Sequence, residues 1–227
     1  ERMNVFARIE TVAARLPKQH LTIATWASIE TPKRYGGLFS LLQDDGGAEA
    51  GVVLGYDESV FTFGLASEGA NDGDGKLTYL RGRTRYEAGR LYHVVATYDG
   101  KVMRLYVNGV LEAASEAQSD AVHWPKDAAL TVGAYHDRDE DFPHHGRIRD
   151  LAVYDLTASE KWVAHEFDHG KELASLPAVI HYPDELGFIV APYQQWVTDD
   201  SVTVMLEPSR PASSVLMIGR SETSLEA

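Results

Sequence analysis

The chain of 227 residues contains no cysteine. That excludes disulfides, thiolate metal sites and cysteine nucleophiles, and leaves the redox compartment open. No apolar run approaches the ~18 residues that a membrane-spanning helix needs. The opening stretch, ERMNVFARIE, lacks the apolar core of a secretory signal peptide. With Glu1 in first place, the expectation is an excised piece of a longer protein. Basic side chains are scarce, 21 Lys and Arg against 34 Asp and Glu, for a net charge of −13. Nucleic acid and anionic membranes are held by clustered cations, so neither is an expected partner. No Asn-x-Ser/Thr acceptor occurs.

What the chain has in quantity is alternating, β-forming sequence. Residues 91–113, LYHVVATYDGKVMRLYVNGVLEA, carry two turn dipeptides, Asp99-Gly100 and Asn108-Gly109. Each can supply the positive φ of a tight primed turn, because Gly has no Cβ and Asn and Asp tolerate the left-handed region. Val95 and Thr97 fall on one face, and Val94, Ala96 and Tyr98 on the other. Met103, Leu105 and Val107 alternate in the same way with Arg104, Tyr106 and Asn108. Alternation bounded by such dipeptides predicts a three-stranded antiparallel meander.

LTIATWASI (21–29) places Leu21, Ile23, Thr25, Ala27 and Ile29 on one face and Trp26 on the other. A Trp inside an apolar strand is expected in the core rather than stacked on a sugar. GLFSLLQ (37–43), GVVLGY (51–56), VFTFGLA (60–66), LTYLRG (77–82), ALTVGAY (129–135) and RIRDLAVYDL (147–156) extend the series. Short strands so spaced predict an all-β antiparallel sandwich rather than βαβ units. The stretch 67–76, SEGANDGDGK, is expected to be a solvated turn. Its Asp72 and Asp74 lack the Gly and Glu that an EF-hand loop requires at its sixth and twelfth positions.

Thr157-Ala158-Ser159-Glu160 has the capping-box pattern and predicts one short helix near 158–169, with Val163 and Phe167 on one face and Gly170 as its stop. Residues 173–187 read as a linker with two prolines, Pro177 and Pro183. Fresh strand patterns follow in 188–227: FIVAPY, SVTVMLE and SSVLMIG. A piece this small cannot bury both of its faces. It is expected to dock on the sandwich, with Leu173, Leu176, Val179 and Ile180 as anchors, or to pair with a second copy as a homodimer.

Trp26 in its alternating strand, the 91–113 meander, LTVGAY and GRIRDLAVYDL with a short helix together resemble a laminin-G-like domain of the concanavalin A-like lectin/glucanase superfamily over residues 1–172. The resemblance implies a jelly-roll sandwich of two antiparallel sheets in an extracellular or periplasmic module that binds carbohydrate or protein, often with calcium. Many relatives carry an Asp after Gly-x-Ile in the last strand as a calcium ligand. Arg149 stands there in this chain, with Asp150 shifted to the opposite strand face. The stretch 191–219, APYQQWVTDDSVTVMLEPSRPASSVLMIG, resembles the opening strands of the fibronectin-III-like domain of purple acid phosphatases, with Leu206 where such domains carry Trp. That second resemblance implies a parent protein that continues into a metallophosphoesterase.

Glucanases of this superfamily carry paired carboxylates at Glu-x-Asp-x-x-Glu spacing, which sets acid and nucleophile on one strand face. The chain has no such spacing, nor the Asp-x-His and Gly-Asn-His signatures of dimetal phosphatases. It is expected to be no enzyme but a non-catalytic binding module accessory to an extracytoplasmic phosphoesterase. A structural spacer without a small ligand, or an enzyme fragment lacking its catalytic domain, are the alternatives. Candidate sugar contacts are Tyr35, Trp124 and Tyr135, whose aromatic faces at strand ends can stack on pyranose rings. Candidate calcium ligands are Asp137, Asp139, Glu140 and Asp141, closely spaced hard oxygens in one loop. Zinc on His144 and His145 is disfavoured, because adjacent histidines seldom face one ion.

Overall fold

Alternation gives nearly every strand two faces, and antiparallel pairing lines those faces up into sheets. The structure, a computed structural model, describes residues 16–44, 49–70, 76–126 and 128–171 in full, and only the backbone of 7–9, 172–175, 188–195, 203–208, 218–219 and 225–226. In chain order the strands are β1 (Ala7–Ile9), β2 (Leu21–Ile29), β3 (Tyr35–Gln43), β4 (Ala50–Asp57), β5 (Val60–Leu65), β6 (Ser67–Ala70), β7 (Thr78–Arg85) and β8 (Leu91–Tyr98). There follow β9 (Met103–Val107), β10 (Val110–Ser115), β11 (Gln118–Val122), β12 (Leu130–Val132), β13 (Ala134–His136), β14 (Asp141–Pro143) and β15 (Gly146–Tyr154). Helix α1 (Glu160–Ser175) comes next, then β16 (Phe188–Gln195), β17 (Thr203–Pro208), β18 (Ile218–Gly219) and β19 (Leu225–Glu226).

The chain divides into two units, residues 1–176 and 177–227. In the first, a six-stranded sheet runs β1-β12-β3-β4-β5-β7 and a five-stranded sheet runs β10-β9-β8-β2-β15. Leu21, Ile23 and Ala27 of β2 and Val94, Ala96 and Tyr98 of β8 meet Leu41, Val52, Leu54, Phe61 and Phe63 of the other sheet in one core. Fully burying a side chain of this size contributes ~1.5–3 kcal/mol. The result is the expected antiparallel jelly-roll sandwich.

The meander is present as β8-β9-β10. Asn108 and Gly109 both take positive φ, 50° and 81°, and make the two-residue primed turn. Asp99-Gly100 differs. Only Gly100 has positive φ, and Asp99 Oδ1 accepts the amides of Lys101 (3.0 Å) and Val102 (2.8 Å), so a side-chain cap opens a wider loop. The stretch 129–135 divides at Gly133, φ 83°: β12 stays in the sheet, whereas β13 leaves it to pair with β14 inside the acidic loop. β6 pairs with β11 where sequence predicts only turn. Polar bonds hold that ladder, with Gln118 Oε1 accepting both the amide and the hydroxyl of Ser67 at 2.7 Å. At the sandwich edge, the buried carboxylate of Glu112 on β10 accepts the amides of Arg83 (2.7 Å) and Thr84 (3.0 Å) and the Thr84 hydroxyl, which pins β10 to β7.

The helix begins and ends differently from expectation. Ser159 is its cap, accepting the Trp162 amide at 3.2 Å, while the Thr157 hydroxyl donates to the Tyr98 carbonyl at 2.8 Å. Gly170 does not stop α1, which continues to Ser175. A Cβ at 170 would fall 2.7 Å from Trp26 Cε2, so the bare Cα lets the helix approach the indole. Trp26 is buried as expected, in a three-ring cluster with His93 (5.0 Å between centroids) and Phe167 (5.9 Å), which also face each other at 6.5 Å. Val163 is buried in a second core with Val95 and Tyr106.

The expected linker loses its first residues to α1, and 176–187 lie outside the described residues, as do the side chains of the expected anchors Leu173, Leu176, Val179 and Ile180. In the second unit β16 pairs with β17, and β18 with β19, both antiparallel. Among the described residues no helix is long and apolar enough to cross a membrane.

Candidate functional site

Alternation along β4 sends Val52, Leu54 and Tyr56 into the core and leaves Val53, Gly55 and Asp57 on the outer face of the six-stranded sheet. β5 adds Thr62 and Gly64 to that face, and β7 adds Tyr79 and Arg81. Gly64 keeps the face low, since a Cβ there would fall 2.6 Å from Tyr79 Cε1. The β13-β14 hairpin rises along one side, held by the Ser40 hydroxyl donating to the Ala134 carbonyl at 2.9 Å. Between hairpin and β7 lies a cleft of about 730 Å³.

Asp44, just past β3, organises the cleft. Its Oδ2 accepts the hydroxyl of Tyr135 at 3.0 Å and that of Tyr79 at 3.2 Å. Tyr35 stands at the rim, 44% exposed, with Arg34 stacked 5.3 Å from its ring centre and Phe142 against it at 5.6 Å. Arg81 pairs with Asp57 at 2.5 Å. Burial pushes Asp57 up, but the Ser59 and Val60 amides and the Arg81 guanidinium outweigh it and hold the carboxyl below its usual range. Burial, then the neighbouring Tyr79 and Asp44, push the Tyr135 phenol up and keep it a neutral donor. Glu140 is raised by burial and then by the negative charges of Asp137 and Asp139. Exposed aromatic faces beside carboxylate acceptors and phenolic donors suit a ligand rich in hydroxyl groups.

Of the sequence-derived candidates, Tyr35, Tyr135, Asp139 and Glu140 all line this cleft. Trp124 stands elsewhere, its indole N–H donating to the Pro17 carbonyl at 2.8 Å and its rings packed on the main core. Asp137 turns inward, with Oδ1 accepting the amides of Asp139 (3.2 Å) and Glu140 (2.7 Å). Asp141 points to His136, 3.7 Å away. Among the described residues no three His, Asp or Glu side chains group as a set of metal ligands, so the four acidic residues do not converge on one ion. His144 is buried, with Nδ1 3.0 Å from the Tyr56 hydroxyl. Arg149 sits opposite Trp26 in the sheet register, and Asp150 takes φ 53° in the bulge that follows.

Three cleft residues were missed from sequence. Tyr79 and Arg81 share the polar face of an alternating strand, which is a readable signal; Asp44, in an acidic Gly-rich turn, carries none. Reading the motifs along the sequence also missed a His-Glu-x-x-His spacing that is present: His165-Glu166-Phe167-Asp168-His169. It lies on α1, against the other sheet, with no third ligand grouped beside it among the described residues. It gives no support to a zinc peptidase reading, which needs three protein ligands facing a substrate cleft.

The family description of the concanavalin A-like lectin/glucanases superfamily matches residues 5–164. The chain belongs to this superfamily. Within reach of this superfamily member, pappalysin-1 of Mus musculus is 29% identical over 121 residues, 48% of this chain and 7% of that protein. The Ruminococcus gnavus IT-sialidase CBM40 bound to α2,3-sialyllactose superposes with a TM-score of 0.56 at 17% identity, over 67% of this chain and 85% of that one. A Bacteroides ovatus protein assigned to carbohydrate binding superposes at 0.53 and 16% identity, over 70% of this chain and 43% of that one. At such identities the structural likeness shows the fold. The superfamily member spans less than half the length of both pappalysin-1 and the Bacteroides protein.

Proposed function

We propose that the first unit is a non-catalytic carbohydrate-binding module whose saccharide lies in the cleft on the outer face of the six-stranded sheet. The observation that carries this reading is Asp44, which receives the Tyr79 and Tyr135 hydroxyls beside the exposed rings of Tyr35 and Tyr79. The rings offer stacking surfaces, and the carboxylates of Asp44, Asp139 and Glu140 accept sugar hydroxyls. The sialyllactose-bound CBM40 with the same fold supports it.

Calcium belongs to this proposal through Asp139 and Glu140, the acidic-loop carboxylates that line the cleft. Their mutual repulsion would be relieved by a bound cation. The fibronectin-III-like resemblance of 191–219 supports an accessory role beside an extracytoplasmic metallophosphoesterase, in an extracellular or periplasmic setting. The same tail supports homodimer pairing through its strands.

A thermal-shift screen of the full chain against mono- and oligosaccharides tests the reading. A bound saccharide raises Tm because it binds only the native state. Tyr79→Ala should abolish the rise and Trp124→Phe should keep it. No rise with any saccharide would leave the spacer reading in its place.

A further inference from the structure

We propose that His165 and His169 on α1 form a two-histidine chelate for a borderline divalent transition ion of the zinc type. Residues four apart on a helix stand one above the other on a single face. Here the two imidazoles are exposed and already together, with ring centroids 3.8 Å apart and planes inclined by 41°. Two imidazoles bound to one zinc through nitrogens at 2.0–2.1 Å have ring centres about 5 Å apart at a tetrahedral angle, so these exposed rings need swing apart by only ~1 Å to hold one ion.

A second observation concerns the proton. His169 Nδ1 lies 2.9 Å from the His165 carbonyl oxygen. A carbonyl can only accept, so Nδ1 carries the hydrogen and Nε2 keeps its lone pair. A metal-binding histidine is prepared in this way, with its second nitrogen donating to a backbone carbonyl and fixing the tautomer. The helix holds the site rigidly. Val163 and Phe167 on its inner side are packed beneath it, and Gly170 rests against Trp26. The Asp168 carboxylate adds negative charge to the same turn but is drawn aside by Lys171 at 2.7 Å.

Imidazole nitrogens select zinc, nickel or copper over the hard ions calcium and magnesium. With only two protein ligands among the described residues, water fills the remaining positions and the ion exchanges freely. The site is on the opposite sheet from the saccharide cleft and is independent of it.

Isothermal titration of zinc into the full chain at neutral pH tests the site. One zinc per chain should bind, and His165→Ala or His169→Ala alone should weaken binding by about tenfold or more. Both are exposed helix positions where Ala is the better helix former, and circular dichroism checks that α1 persists. His123→Ala, an exposed histidine elsewhere, should bind as the native chain does. No zinc binding, or binding that survives the His165→Ala/His169→Ala double variant, would overturn the proposal.

Discussion

Gly170 of α1 rests directly on the indole of Trp26, in a space that admits no Cβ. Helix propensity alone favours Ala there by about 1 kcal/mol. The clash is with a rigid ring itself buried and packed against both His93 and Phe167, and overpacking of that kind costs about 1–3 kcal/mol. Gly170→Ala is therefore expected to lower stability in urea unfolding. A gain of about 1 kcal/mol would show that propensity wins and the approach is loose.

That glycine also marks where sequence is ambiguous. Gly after an apolar helical run is a stop signal, yet Gly is equally the residue of close approach, and only the position of Trp26 decides between them. Local patterns were legible throughout the sandwich: Leu21 to Ile29 alternated into two buried faces, and Asn108-Gly109 made its turn. The ladder of β6 and β11 was not legible, because Gln118 and Ser67 hold it from 51 positions apart. The cleft was half legible. Tyr35 and Tyr135 could be chosen as aromatics at strand ends, but Asp44 acquires its place only when sheet register brings Tyr79 and the hairpin to it.

Acid should destabilise the fold through two buried histidines. His93 and His144 are 3% and 9% exposed, and burial pushes both down to about 4. The unfolded chain protonates them near roughly pH 6.5. Stability is thus complete above that pH, falls as pH drops toward 4, and loses nothing more from these groups below it. The loss is on the order of 3 kcal/mol per histidine. His93→Phe, which keeps a ring against Trp26, should flatten part of the slope in urea unfolding across this range. An unchanged slope would contradict the assignment.

Glu112 should be a large single contributor to closure of the sandwich edge. Glu112→Ala strips an acceptor from the amides of Arg83 and Thr84 and from the Thr84 hydroxyl. Each buried donor left unpaired costs about 1–3 kcal/mol. Unfolding in urea should show a loss of about 3 kcal/mol or more, with Glu112→Gln losing less because one acceptor oxygen remains.

Calcium, if the acidic loop takes it, should raise Tm at millimolar concentration by binding only the folded chain. Asp139→Ala should abolish that rise and EDTA should reverse it. A Tm indifferent to calcium and EDTA would leave Asp139 and Glu140 as acceptors for ligand hydroxyls alone.

In the proposed complex a saccharide lies on Asp44 and the tyrosines around it. The most direct measurement is isothermal titration of the stabilising saccharide into the native chain and into Asp44→Ala, with circular dichroism confirming that both are folded. Asp44→Ala removes an acceptor for sugar hydroxyls and releases Tyr79 and Tyr135 from their shared partner. Asp44→Ala should bind at least tenfold more weakly, a loss of about 1.4 kcal/mol. Equal affinity in the two proteins would contradict it.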